Sequence, residues 1–265
     1  MRIVFFGNNR VGWQVLKTLR ESGEEIAGIA LHPPGRRQFG GEILAAANLA
    51  PESVLDGSRL SDPAVIGRLR ELQPEIGISA FFGYLLRKEV LALFPRGVIN
   101  LHPALLPYNR GAYPNAWSIL DGTPAGATIH AVDEGIDTGD ILARREVPAE
   151  PIDTAETLYR KLEKACVELF ADSWPAIRDG AAVRQPQPSA AGTFHRVRDI
   201  EELAEIDPEQ SYPAGRLLDL IRAQTFPPYR GAFIRRNGRK IYLRMELLYE
   251  ESLKGPVHGN RHPDR

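Results

Sequence analysis

Residues 2–31 read RIVFFGNNRVGWQVLKTLRESGEEIAGIAL. Residues 2–6 are a short apolar run that stops at Gly7, the pattern of a strand buried on both faces. The turn Gly7-Asn8-Asn9-Arg10-Val11-Gly12 follows, and Val11, Val15, Leu16 and Leu19 then recur at helical spacing until Gly23. Residues 26–31 are apolar again. This βαβ opening predicts an α/β fold: a Rossmann-like, mostly parallel sheet with helices on both faces. Gly7 and Gly12 lack the three-glycine spacing of a dinucleotide fingerprint. The second strand ends in Ala30-Leu31-His32, with no acid to hold a ribose, so an NAD site is not expected. Asn8, Asn9 and Arg10 either make a tight turn or face a ligand at the carboxyl end of the sheet.

The same alternation continues outward. Residues 54–55 suggest a short third strand, residues 62–72 an amphipathic helix capped by Asp62, and residues 75–82 another buried strand. The apolar loop Gly83-Tyr84-Leu85-Leu86 comes next, then a helix over 88–93. Apolar loops usually fold onto a core; the other reading is the wall of a slot for a flat ligand. A long helix is predicted over 155–178, with Leu158, Leu162, Cys166, Leu169 and Phe170 as its buried stripe. Cys166 therefore reads as core.

Residues 181–192, rich in Ala, Pro, Gln and Ser, read as a linker running away from the sheet. Beyond it a helix near 212–221 and two strands around Asn237-Gly238 predict a small helix and β-hairpin subdomain. The expected organisation is a catalytic domain over 1–180, a linker over 181–195, the subdomain over 196–250 and a flexible tail over 251–265. Residues 230–244 hold six basic and no acidic side chains, a phosphate-binding surface or a solubilising edge strand.

Composition bounds the function. The chain has 265 residues, a net charge of −1 and one cysteine. Nucleic acid is an unexpected partner at that charge. No internal disulfide and no cysteine-based metal site can form. No apolar run is long enough for a membrane span, and the chain reads as cytoplasmic.

Residues 98–141 carry the chemistry: VINLHPALLPYNRGAYPNAWSILDGTPAGATIHAVDEGIDTGDI. Asn100 and His102 are two residues apart at the end of an apolar strand, so amide and imidazole share one face. A loop rich in Pro, Gly and Arg, a second strand near 127–132 and an acid-rich turn bearing Asp137 follow. Asn, His and Asp on separate loops beside a parallel sheet suggest acyl transfer.

This constellation, with LLPYNRG between His102 and the strand and DEGIDTG around Asp137, resembles the formyltransferases that use N10-formyltetrahydrofolate. The resemblance runs from the first strand to about residue 180. Pro107-Tyr108-Asn109-Arg110-Gly111, Pro114-Asn115, Trp117 and Gly192-Thr193-Phe194-His195-Arg196 look most like the branch that formylates nucleotide-linked amino sugars. The tRNA-directed branch carries a longer basic insertion after the second strand and a C-terminal β-barrel; here residues 32–41 and about 60 C-terminal residues fill those places.

The resemblance implies Asn100, His102 and Asp137 as catalytic residues. It implies a pterin held between Phe82, Gly83, Tyr84, Leu85, Leu86 and Asp133, Glu134, Gly135, Ile136. It places the acceptor on Asn8, Asn9, Arg10, Tyr108, Arg110 and Tyr113. N10-formyltetrahydrofolate is the implied co-substrate and a nucleotide-sugar amine the implied partner, with no metal, because the formamide is already activated. The C-terminal hairpin suggests a homodimer. An amide such as Asn100 can donate to the oxyanion of a tetrahedral intermediate, a contact worth roughly 2.7–4 kcal/mol where measured. His102 can shuttle the proton between the two nitrogens, and Asp137 can orient it. Other expectations to weigh are a tRNA or other amine acceptor, and hydrolysis of the donor to formate.

Overall fold

The computed structural model describes residues 1–188 and 192–253; the expected flexible tail from 254 onward lies outside the described residues. The chain runs β1 (Arg2–Gly7), α1 (Asn9–Glu21), β2 (Glu25–Leu31), α2 (Gly40–Ala47), β3 (Val54–Asp56), α3 (Pro63–Glu71), β4 (Ile76–Ala80), α4 (Lys88–Leu91) and β5 (Val98–His102). It continues through β6 (Arg110–Gly111), α5 (Pro114–Leu120), β7 (Ala125–Ala131), β8 (Ile141–Val147), α6 (Ala155–Arg178) and β9 (Phe194–His195). Last come α7 (Val197–Glu202), α8 (Ala214–Arg222), β10 (Phe233–Arg236) and β11 (Arg239–Tyr242).

Seven strands form one sheet in the order β3-β2-β1-β4-β5-β7-β8. The first five are parallel, and β7 and β8 close the edge antiparallel. Alternation decides which side chains reach which layer. Ile3 and Phe5 of β1 join the core under α1 and α6, while Val4 and Phe6 join the core under α3 and α4. The same rule sends Ile99 and Leu101 of β5 to the first core and Val98 to the second. Asn100 and His102 continue the second face just past its apolar part.

Caps and stops follow the sequence closely. Asp62 accepts from the Ala64 N–H at 2.9 Å ahead of Pro63, and Thr154 and Thr157 form a reciprocal capping box at the start of α6. Cys166 is fully buried, and burial pushes its thiol up; core packing was the expectation.

The strand order reverses between β1 and β4, with β2 on one side and β5 on the other. Open α/β sheets bind ligands at such a switch point, outside the carboxyl ends of the strands. The loops leaving β1, β4 and β5 all line one cleft of about 900 Å³.

The stretch after α6 differs from expectation. Residues 181–188 do not leave the sheet. Gln185 bridges antiparallel to Ile141, each backbone N–H bonded to the other's carbonyl at 2.8 Å. Further on, β9 pairs with β6. Gly192, at φ +99°, lies so close to Pro107 that an added Cβ would stand 2.1 Å from its carbonyl oxygen. A composition that reads as linker is also one that lies flat against loops, because it has few bulky side chains to keep it away.

Beyond this strap, α8 docks beside α5 and the start of α6. Arg222 donates to the Asp153 carbonyl at 2.9 Å, and Arg216 to the Leu120 carbonyl at 2.8 Å. The hairpin turns at Asn237-Gly238, both at positive φ, as a tight two-residue loop requires. Its second strand ends at Tyr242.

Candidate active site

Register assembles the site. β5 pairs antiparallel with β7 so that Asn100 lies opposite His130 and His102 opposite Thr128. Directly opposed residues share a face of the sheet. Asn100 Nδ2 lies 3.2 Å from His130 Nε2. An amide nitrogen carries two hydrogens, so Asn100 has one to turn toward the cleft that both residues line.

Asp137 arrives from the turn after β7 and sits between two imidazoles. Its Oδ2 is 3.6 Å from His102 Nδ1, and its Oδ1 is 3.4 Å from His130 Nε2. Oδ2 also accepts the Gly111 N–H at 2.9 Å. Burial by itself would raise this carboxyl. The charge of His102, the hydrogen bond and charge of His130 and the Gly111 N–H together overcome it and hold Asp137 well below the usual carboxylate range. Asp137 has φ +54°, uncommon for a residue with a side chain, and such backbone concentrates at functional sites.

The tautomer of His102 follows from its partners. A carbonyl can only accept, so Nε2 donates to the Asn109 oxygen at 3.2 Å. Nδ1 is thereby turned to Asp137, where the ring can take up and release a second proton. His130 is arranged alike: Nδ1 donates to the Ala131 carbonyl at 2.8 Å and Nε2 faces the site.

The loop that carries Asn109 is itself pinned. Asn109 is fully buried and donates to Ser118 Oγ at 2.9 Å and Thr123 Oγ1 at 2.8 Å, while Thr193 Oγ1 donates to its side-chain oxygen at 3.0 Å. Gly111 must be glycine on two counts, a φ of +88° and the His195 oxygen 2.3 Å from any added Cβ.

The cleft has two unlike ends. One is walled by residues 82–88 and 132–136. Leu85 is 68% exposed and Ile136 39% exposed, while Phe82 is 1% exposed and packs edge-on against Phe6 as part of the floor. His32 reaches the Phe82 carbonyl and lies 4.6 Å from the Tyr84 ring, which braces this loop from below. Asp133 holds its own turn, accepting from Gly135 N at 3.0 Å and Thr138 Oγ1 at 2.6 Å, and Glu134 lies 3.9 Å from Lys88 Nζ.

The other end is lined by Asn8, Asn9, Gln38, Phe81 and Tyr159. Asn8 Oδ1 accepts the Gln38 N–H at 2.8 Å, and Asn9 Nδ2 donates to the Tyr159 hydroxyl at 3.4 Å. Burial chiefly, with Glu163 nearby, pushes that hydroxyl up, so it stays protonated.

Of the residues expected in the site, Asn100, His102 and Asp137 meet, and residues 82–86 and 133–136 line the same cleft. Asn8 and Asn9 line it. Arg10, Tyr108, Arg110 and Tyr113 do not. Arg10 is exposed, Tyr108 and Tyr113 are 37% and 47% exposed, and Arg110 donates through Nε and Nη2 to Gln187 at 3.1 and 2.8 Å. His130, Tyr159 and Gln187 were not expected. A histidine at an alternating position of the apolar run 127–132, on the partner strand of Asn100, was the available sign of the first; the other two had none.

Two family profiles match the chain: formyl transferase over residues 1–173, and the N-formyltransferase dimerization C-terminal domain over 199–249. A methionyl-tRNA formyltransferase from Caldanaerobacter subterraneus subsp. tengcongensis is 32% identical over 91% of this chain and 79% of its own length. Among solved structures, a 4-N formyltransferase from Francisella tularensis is 27% identical with a TM-score of 0.79, covering 94% of this chain and 98% of that one. The formyltransferase PseJ from Anoxybacillus kamchatkensis, solved with UDP-4,6-dideoxy-4-formamido-L-AltNAc and tetrahydrofolate, is 29% identical with a TM-score of 0.58 over 76% of this chain and 89% of that one. With the first profile spanning well over half its length, and with this Asn-His-Asp cluster at the carboxyl end of β5, the chain belongs to the formyltransferase family.

Proposed function

We propose that this protein transfers the formyl group of N10-formyltetrahydrofolate to the primary amine of a nucleotide-linked amino-deoxy sugar. One observation carries the reading: a single cleft brings the loops 82–88 and 132–136, with Leu85 and Ile136 exposed, and a bay of amides and aromatic rings to Asn100, His102 and Asp137. The slot between residues 82–88 and 132–136 suits a flat pterin, whose polar edge would meet backbone groups of the 133–137 turn. The structure with PseJ, which holds tetrahydrofolate, supports that donor.

The bay supports the acceptor. Asn8, Asn9, Gln38 and the Tyr159 hydroxyl offer neutral hydrogen-bonding groups, the complement of a polyhydroxylated ring. Phe81 and Tyr159 lie 6.2 Å apart, Tyr159 and Phe226 5.4 Å, and Phe226 and Tyr229 5.4 Å, a file of rings that leads out to an exposed tyrosine. Aromatic faces of this kind take nucleobases by stacking. Similarity to a 4-N formyltransferase and to a protein solved with a UDP-linked formamido sugar points the same way.

In the reaction the amine attacks the formyl carbon as a neutral group. Asn100 donates its free amide hydrogen to the oxygen that gains charge. His102, its Nε2 proton committed to Asn109, takes up the amine's proton at Nδ1 beside Asp137 and returns it to the departing nitrogen. Asp137 stays ionised throughout and supports the charged imidazole. We further infer a catalytic unit over 1–180 and a homodimer formed through the C-terminal segment, which the dimerization profile supports.

A charged tRNA is the second reading, favoured by the methionyl-tRNA relative and the run of cations at 230–244. A calorimetric screen of dTDP- and UDP-amino sugars against the protein saturated with tetrahydrofolate separates the two. Binding of an amino sugar nucleotide is expected; silence across the panel, with steeply salt-dependent tRNA binding instead, would favour tRNA.

A further inference from the structure

We propose that Gln187, on the strap after α6, is a positioning residue for formyl transfer: it locks the turn that presents Asp137 and is itself held by Arg110. This rests on the role given to Asp137 above. The geometry is specific. Gln187 Nε2 donates to the Asp137 carbonyl at 2.9 Å and to the Gly139 carbonyl at 2.7 Å. Its Oε1 accepts Arg110 Nε at 3.1 Å and Nη2 at 2.8 Å.

A primary amide has two hydrogens and two acceptor sites, and all four are engaged here, on two other loops. No other side chain has both functions at that reach. Glutamate would keep the arginine and lose both donors; methionine would fill the space and lose everything polar. Asp137 needs such a lock because its φ of +54° is costly for a residue with a side chain and persists only where the surroundings fix it. The turn has little else outside itself to hold its backbone. Asp133 stabilises its first half, and the Ile141–Gln185 bridge anchors the strap two residues from the amide.

The same lock explains Arg110. A cation beside the cleft looks like a ligand for a diphosphate, yet its guanidinium is committed to a neutral oxygen in the strap. Because Arg110 lies between Asn109, which accepts from His102, and Gly111, which donates to Asp137, one arginine–glutamine contact fastens both halves of the His102–Asp137 pair. Gln187 falls between the two matched family segments, 1–173 and 199–249, so neither match assigns it.

The test compares Gln187→Glu and Gln187→Met with the unaltered protein by steady-state transfer, by calorimetry with tetrahydrofolate and by a long-range 1H–15N spectrum of the imidazoles. A misplaced catalytic group costs on the order of 100-fold in rate. The expected result is a kcat lowered about 10- to 100-fold in both variants, with tetrahydrofolate affinity and melting midpoint kept, and a moved His102 Nδ1 resonance. Wild-type kcat and an unmoved resonance in Gln187→Glu would overturn the assignment. So would a joint fall of rate, folate affinity and melting midpoint, the mark of a strap that only holds the fold. Should the unaltered protein transfer no formyl group, the proposed reaction fails, and the His102 resonance alone decides whether Gln187 sets the Asp137 contact.

Discussion

The two halves of the cleft break the rule of burial in opposite senses. Around β5 and β7, four polar side chains, Asn100, His102, His130 and Asp137, are gathered where apolar groups would normally be, and His102 and His130 are 7% and 2% exposed. Elsewhere in the cleft, Leu85 and Ile136 stand in solvent at 68% and 39% exposure. Buried polar groups are costly unless each has a partner, and here they partner one another and the backbone carbonyls of Asn109 and Ala131. Exposed apolar groups gain when something flat covers them. On the proposed reaction the first half handles charge and the second a ligand, and substitutions should separate accordingly: rate in one, affinity in the other.

The largest effect belongs to the proton path. His102→Asn removes the proposed shuttle and should lower kcat by about 10²–10⁴-fold, with tetrahydrofolate binding by calorimetry unchanged; a matching loss of affinity would contradict the division. Asn100→Ala comes next, on the order of 10²–10³-fold in kcat from one oxyanion donor. Asn100→Asp should be no better, since a carboxylate repels the charge that forms.

On the other wall, Leu85→Ser removes apolar surface that the pterin would cover. Burying a leucine is worth roughly 1.5–3 kcal/mol, so affinity for tetrahydrofolate should fall about 10- to 100-fold while kcat at saturation holds. If kcat falls instead, this wall also shapes the transition state.

The smallest effect is on stability. The Asp137 carboxyl is depressed in the fold, so its contribution is present above the ordinary carboxylate range and lost as pH falls through the folded value. Unfolding midpoints of Asp137→Asn and the unaltered protein should differ most near neutrality and converge in acid. A difference that grows on acidification would contradict the sign.

Much of this was legible in the chain. The βαβ opening, the buried strand at 76–80 and the 24 residues of α6 were readable because period and length leave little choice for apolar runs of that kind. That Asn100, His102 and Asp137 come together was readable because their residue types and spacing rarely coincide. His130 was not, since its role depends on register with Asn100, and strand pairing across residues 103–124 cannot be counted along the chain. Gln187 and the strap were missed for a different reason. Proline, alanine and glutamine write no period, and a segment that lies along loops through backbone contacts has no side-chain pattern to show. Arg110 was read as a ligand because a loop cation beside an acyl-transfer motif has no visible partner until residue 187 folds back.

One measurement reaches the central claim most directly. The protein is incubated with N10-formyltetrahydrofolate and either dTDP- and UDP-linked amino sugars, a methionyl-tRNA, or no amine, and products are read by mass spectrometry. A formamide on an amino sugar, with none on the tRNA and no formate released without an amine, is the expected result. Formylated tRNA with untouched sugars, or formate at full rate in the absence of any amine, would contradict it.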